Sequence, residues 1–164
     1  MLLAIDIGNT NVVCAVFKNS AQIDSIRIES DLKFFNVLIQ FSKYDISQII
    51  ISSVVPKLNT AYFESCKNLF HIDANFIRHD NCGLELDVDK PSEVGADRIC
   101  NIAAVKQNYQ LPAIIVDFGS ATTYDIIDQN GVFIGGAIAP GIDVSARYLF
   151  EKAALLNKVN FEFP

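Results

Sequence analysis

The sequence has little charge. Only 20% of its 164 residues are charged, acidic side chains outnumber basic ones, and the formal net charge is −6. A broad nucleic-acid surface needs the opposite balance, so no nucleic-acid partner is expected, although a few basic residues can still meet phosphates in one cleft. Cysteine is sparse, and Cys14, Cys66, Cys82 and Cys100 include no close pair of the kind that marks a zinc or redox motif. Cys14 and Cys100 lie inside apolar segments, where a small buried side chain is the expectation. The two histidines, His71 and His79, have no partner motif and are expected in surface or structural positions. The opening Met-Leu-Leu-Ala-Ile-Asp has no basic leader and reaches Asp6 at once, unlike a signal peptide. No apolar run approaches the roughly 20 residues of a membrane span. A cytoplasmic protein without a membrane partner is the expectation that remains.

What is present is apolar. Hydrophobic residues make up 51% of the chain, and the mean hydropathy is +0.28. Such a chain can bury a core and still have apolar surface left for an interface or for further sequence. Short apolar runs at 2–7, 12–17 and 21–28 alternate with turns at Gly8–Asn11 and Lys18–Ser20, which predicts an antiparallel meander. Leu32, Phe35, Leu38, Ile39 and Ser42 follow helical spacing over 32–43. A buried strand over 49–54, a helix over 58–69, a strand near 74–78 and a helix over 96–108 follow.

The opening pattern then returns. Residues 113–117 (AIIVD) match 2–6 (LLAID), and Phe118-Gly119 matches Ile7-Gly8 at the same offset. In both places an apolar strand enters Asp-x-Gly, passes small hydroxyl or amide residues and becomes another strand. The second copy has its own turn, Asp128–Gly131, before an apolar stretch over 132–139 and a helical stretch over 143–156. A duplicated strand-turn-strand at domain-sized spacing implies two similar halves facing each other, here 1–112 and 113–164, the second expected to be only the beginning of its half.

The doubled turn suits nucleotide phosphates. Glycine lets the backbone approach an oxygen closely, and turn amides with nearby hydroxyls form concave anion sites. Asn9, Thr10 and Asn11 supply neutral donors in the first turn; Ser120, Thr122 and Thr123 do so beside Asp117 and Gly119 in the second. Asp6 would repel a phosphate directly, so its use there is through Mg²⁺, held by way of its water shell. Either turn alone also reads as an ordinary hairpin turn, because Asp, Asn and Gly are common turn formers. A third candidate is Gly95-Ala96-Asp97-Arg98 at a helix start. Asp97 can accept a hydroxyl proton and Arg98 can hold a carboxylate in a two-point fork. Acidic residues also favour helix starts for electrostatic reasons alone, and spacing does not decide between the two readings.

Three segments together resemble one family, over nearly the whole chain. Residues 6–13 (DIGNTNVV) look like the first phosphate motif of type III pantothenate kinases, 91–98 (PSEVGADR) like their substrate motif, and 116–125 (VDFGSATTYD) with 135–141 (GGAIAPG) like their second phosphate region. The resemblance implies an α/β, actin-like kinase fold with two ribonuclease-H-like halves. It implies ATP-dependent phosphorylation of pantothenate to 4′-phosphopantothenate, the first step toward coenzyme A. By this resemblance Asp97 is the proton acceptor, and Gly95, Ala96, Asp97 and Arg98 bind pantothenate. Asp6, Ile7, Gly8, Asn9, Thr10, Asn11, Val12, Val13 and Ser120 line the ATP phosphates, and Asp6 helps organise Mg²⁺. Asp117 resembles the family's ligand for a monovalent cation, K⁺ or NH₄⁺, and a homodimer is expected. The chain departs from the family in having Ser120 for threonine, Val88 where an aromatic residue is common, and an early end. The alternative expectation is a catalytically weak relative serving as a nucleotide-binding regulatory or accessory protein.

Overall fold

The computed structural model describes residues 1–31 and 35–153. The chain opens with β1 (Leu2–Ile7), β2 (Asn11–Lys18) and β3 (Ala21–Glu29), then the short helix α1 (Phe35–Ile39) running into a 3₁₀ turn at Gln40–Lys43. Next come β4 (Gln48–Ser53), α2 (Pro56–Phe70), the two-residue β5 (Asn75–Phe76) and α3 (Ala96–Asn108). The last part holds β6 (Ala113–Phe118), β7 (Ala121–Ile127), β8 (Phe133–Pro140) and α4 (Ile142–Lys152). Of the helix expected over 32–43, the described residues are α-helical over Phe35–Ile39 and 3₁₀ over Gln40–Lys43. Its residues 32–34, and residues 154–156 of the stretch expected over 143–156, lie outside the described residues.

The strands form two sheets, in the order β3-β2-β1-β4-β5 and β6-β7-β8. The first three strands pair as the expected meander, and β4 adds in parallel to β1, with Asp6 opposite Ser52. β5 ends earlier than the apolar run suggests because Asn81 takes over the backbone: its Oδ1 accepts from Arg78 N at 2.8 Å and its Nδ2 donates to Phe76 O at 2.8 Å. Alternation puts Leu3, Ile5, Ile7, Ile49 and Ile51 on one face, where they join Val12, Cys14, Val16, Leu58 and Tyr62 in the main core. α2 starts two residues earlier than expected, with Pro56 in its first turn, where the missing N–H costs nothing. Leu58, Tyr62, Ser65 and Cys66 line its buried stripe.

The opposite face of the first sheet carries Asp6 and Ser52, and α3 approaches from that side, touching β4, β6 and β7. The helix therefore lies between the sheets. Ile102 on α3 packs with Ile127 and Phe133 of the second sheet, and Val88, Val94 and Ile115 close around them. Val88 thus belongs to the edge of this small core. The segment leading to α3 is tied to β8 by Asp87 N donating to Phe133 O (2.8 Å) and Phe133 N donating to Glu85 O (3.0 Å). The other face of the second sheet is open, with Ile114, Val116, Phe118, Tyr124 and Ile126 exposed.

Candidate active site

The two Asp-x-Gly turns touch, and the second closes one residue sooner than the first. In the first, Gly8 N donates to Asn11 O at 3.0 Å; in the second, Gly119 N donates to Ala121 O, also at 3.0 Å. Thr10 Oγ1 and Ser120 Oγ lie 2.7 Å apart, a hydrogen bond joining the turns. Ser30 Oγ braces the first turn by donating to Gly8 O at 2.6 Å, and Gly141 N, just before α4, donates to Ser120 O at 3.2 Å. Within residues 6–13 the side chains divide. Ile7 and Val12 are fully buried in the main core, so only their backbone can face a ligand, while Asp6, Asn9 and Thr10 are open.

Asp6 shares its surroundings with two other carboxylates. Its tip opens to solvent, yet crowding by protein is the largest influence and raises its pKa above the ordinary value. The Ser52 hydroxyl opposes that rise, Asp97 and Asp117 add to it through like charge, and Arg27 lowers it. Ser52 Oγ donates to Asp6 Oδ1 at 2.9 Å. Asp117 accepts from Asn101 Nδ2 of α3 at 2.9 Å. Among the described residues no three His, Cys, Asp or Glu side chains converge closely enough to coordinate one ion. A cation here would accordingly be shared with water or phosphate oxygens, as Mg²⁺ commonly is.

The Gly-Ala-Asp-Arg segment starts α3, with Gly95 as its cap. Asp97 Oδ1 turns back to accept from Arg98 N at 2.8 Å, and a Cβ on Gly95 would collide with that oxygen. Glycine here makes room for the carboxylate. Ala96 is buried, with only 7% of its surface exposed. Arg98 donates through Nε to Asp125 Oδ1 at 2.7 Å, so part of the fork expected to serve a ligand is held by the protein. Cys100 differs from its expectation too, being only half-buried. Burial raises its pKa, a Ser52 hydrogen bond opposes this, and Asp6 and Asp97 raise it further. Its thiol therefore faces the carboxylates. Cys14 does behave as expected: it is buried, and burial pushes its thiol up to about 12. A separate cavity of about 380 Å³, lined by Ser53, Asn59, Phe63 and Arg78 among others, opens near α2, on the opposite face of β4 from Ser52 and Asp6.

Sequence reasoning brought forward Asp6, Thr10, Asp97, Arg98, Asp117 and Ser120, and the fold gathers these at facing ends of the two sheets and α3. It passed over Ser52, Asn101 and Asp125. For Asp125 a signal existed: in Thr123-Tyr124-Asp125-Ile126-Ile127, alternation puts the aspartate on the same face as the core residue Ile127. A charge in that register requires a partner.

The family model for type III pantothenate kinase matches residues 2–164. The chain belongs to the type III pantothenate kinase family. A type III pantothenate kinase of Listeria monocytogenes is 40% identical over 98% of this chain and 66% of its own length. One of Thermomicrobium roseum is 38% identical over 100% of this chain and 68% of its own length. The chain thus spans about two thirds of the length of the curated relatives it matches. Among solved structures, a Baf family protein of Campylobacter jejuni aligns with a TM-score of 0.58 at 24% identity, covering 99% of this chain and 67% of that one. An Aquifex aeolicus Ppx/GppA family member aligns with a TM-score of 0.52 at 16% identity over 92% of this chain and 53% of that one. These likenesses bear on the fold, which is actin-like.

Proposed function

We propose that the whole protein transfers the γ-phosphoryl group of ATP to the 4′-hydroxyl of pantothenate, yielding 4′-phosphopantothenate and ADP. The observation that carries this reading is the pair of Asp-x-Gly turns joined through Thr10 and Ser120, beside α3, whose Asn101 bonds Asp117 and whose first turn carries Asp97. Asp97 takes the proton from the hydroxyl as its oxygen bonds to phosphorus and the bond to the bridging oxygen of ADP breaks. Gly95, Ala96 and Arg98 bind the rest of pantothenate, Arg98 through its carboxylate. The turn Asp6–Val13 and Ser120 receive the ATP phosphates, with Ile7 and Val12 acting through their backbone.

The residues present suit cations. Burial, together with the like charge of Asp97 and Asp117, raises the proton affinity of Asp6, and positive charge relieves that repulsion. Asp6 would hold Mg²⁺ through water, and Asp117 a monovalent cation, K⁺ or NH₄⁺. When bound, Mg²⁺ supplies charge neutralisation on the phosphate oxygens. Residues 1–112 and 113–164 are read as the first ribonuclease-H-like half and the beginning of the second. The exposed apolar face of the second sheet supports a homodimer or contact with further chain. Among the described residues no helix is long and apolar enough to cross a membrane.

The test is a product assay on the full-length protein with ATP, magnesium and potassium saturating. Asp97→Asn, folded as judged by circular dichroism, should lose about 10²–10⁴-fold in turnover, the usual cost of removing a general base. Unchanged phosphorylation by that variant would take Asp97 out of the mechanism.

A further inference from the structure

Asp125 lies in the second phosphate region by sequence, yet it belongs to neither turn. It sits in the middle of β7, opposite Ile115 on one side and Gly136 on the other, with 0% of its surface exposed. Its Oδ1 meets Arg98 twice, at 2.7 Å from Nε and 2.5 Å from Nη2. Its Oδ2 is buried with no hydrogen-bond partner among the described residues. The guanidinium is fixed on two further sides. Its centre lies 5.5 Å over the Phe133 ring, and a Cβ on Gly136 would collide with Tyr124 O of the neighbouring strand and also stand 2.7 Å from Nη2. Glycine at that point leaves room for the arginine.

A buried, singly paired carboxylate is a costly thing to keep if packing is its only use, since apolar residues of similar volume often serve as well. Its geometry suggests a use. Asp125 takes the side edge of the fork, Nε and Nη2, and among the described residues nothing engages Nη1. The end edge, Nη1 with the second hydrogen of Nη2, is the two-point surface that matches a carboxylate. Arg98 keeps 14% of its side chain exposed, so the guanidinium remains within reach of a ligand. It is also the residue immediately after Asp97, whose carboxylate is bonded to the Arg98 amide.

We propose that Asp125 is a positioning residue that aims the end edge of Arg98 at the substrate carboxylate, and so sets the preference for an acidic substrate. This rests on the pantothenate kinase reading, in which Arg98 holds that carboxylate. Asp125 touches no substrate atom and acts through the arginine. Removing its charge leaves Arg98 without its anchor, free to rotate away or to pair elsewhere.

The experiment uses the full-length protein and two substrates, pantothenate and pantothenyl alcohol, in which a hydroxymethyl group replaces the carboxylate. The readout is the ratio of kcat/KM for the two. Asp125→Asn should lower the ratio about tenfold or more, as expected when a hydrogen bond to a charged group is lost, while KM for ATP stays within about twofold. Asp125→Glu keeps the charge and should restore part of the ratio; if the asparagine variant does not fold, a ratio in the glutamate variant below that of wild type supports the proposal in its place. An equal loss on both substrates, or an unchanged ratio, overturns the proposal. Wild-type protein that phosphorylates neither substrate would instead overturn the pantothenate kinase reading itself.

Discussion

The two sheets begin with the same strand and the same Asp-x-Gly turn, but they are stabilised differently. In the first, Leu3, Ile5, Ile7, Ile49 and Ile51 pack under α2 with Phe41 and Tyr62, all of them essentially inaccessible. In the second, the described core is the small group Ile102, Ile127 and Phe133, and the other face shows Phe118 at 69% and Ile114 at 67% exposure. The turn chemistry does not depend on a deep core. A short sheet resting on one helix is enough to present Asp117 and Ser120 to the turn of the other half.

Two core substitutions sharpen that contrast, both read by chemical denaturation of the 164-residue chain. The largest effect is expected at the shared helix interface: Phe133→Ala removes a buried ring from a core with few other members and should cost about 3–5 kcal/mol. Ile51→Ala, in the larger core, should cost about 2–5 kcal/mol, but with one cooperative transition retained. If Phe133→Ala were silent while Ile51→Ala unfolded the protein, the second sheet would not depend on its contact with α3.

A smaller effect, with a definite sign, is expected at Asp6. Its folded-state pKa is raised, so the folded state favours the protonated form. The stability this brings is complete below the unfolded pKa and is lost as pH rises through the folded one. Asp6→Asn should thus stabilise the unliganded protein at pH 7, and the gain should fade as pH drops toward 3.8, the ordinary aspartate value. A gain that persists at low pH would mean that ionisation of Asp6 is not its source. The smallest effect is expected on the open face. Phe118→Ser should change stability by no more than about 0.5 kcal/mol, yet reduce self-association in light scattering, because it interrupts an exposed apolar surface.

Much of this fold was legible because alternation and turn chemistry are local. Every strand from β1 to β8 was anticipated to within a few residues, as were α2 and α3, and the repeated Asp-x-Gly exposed the pairing of halves before any contact was known. The less legible features depended on neighbours distant in sequence. That Asp6 would share a cleft with Asp97 and Asp117, that Cys100 would face them, and that Arg98 would be held by Asp125 depend on α3 lying between two sheets. Asn81 shortened β5 by a local side-chain bond that hydrophobic patterning does not register. Val88 looked like a departure at a substrate contact; its packing beside Ile127 and Phe133 gives it a place in the core as well.

The hydrogen bond between Thr10 and Ser120 also bears on how a nucleotide would compete for this cleft. Without a ligand, the two turns satisfy each other, so a phosphate arriving between them trades an existing partner for a new one. Such an exchange gains far less than a hydrogen bond made from nothing, since a typical net contribution is only about 0.5–1.5 kcal/mol. The contact is therefore a reversible clasp. On the proposed reading it holds the halves in register while idle, and it leaves affinity for the triphosphate to be supplied by a bound cation and by the backbone amides.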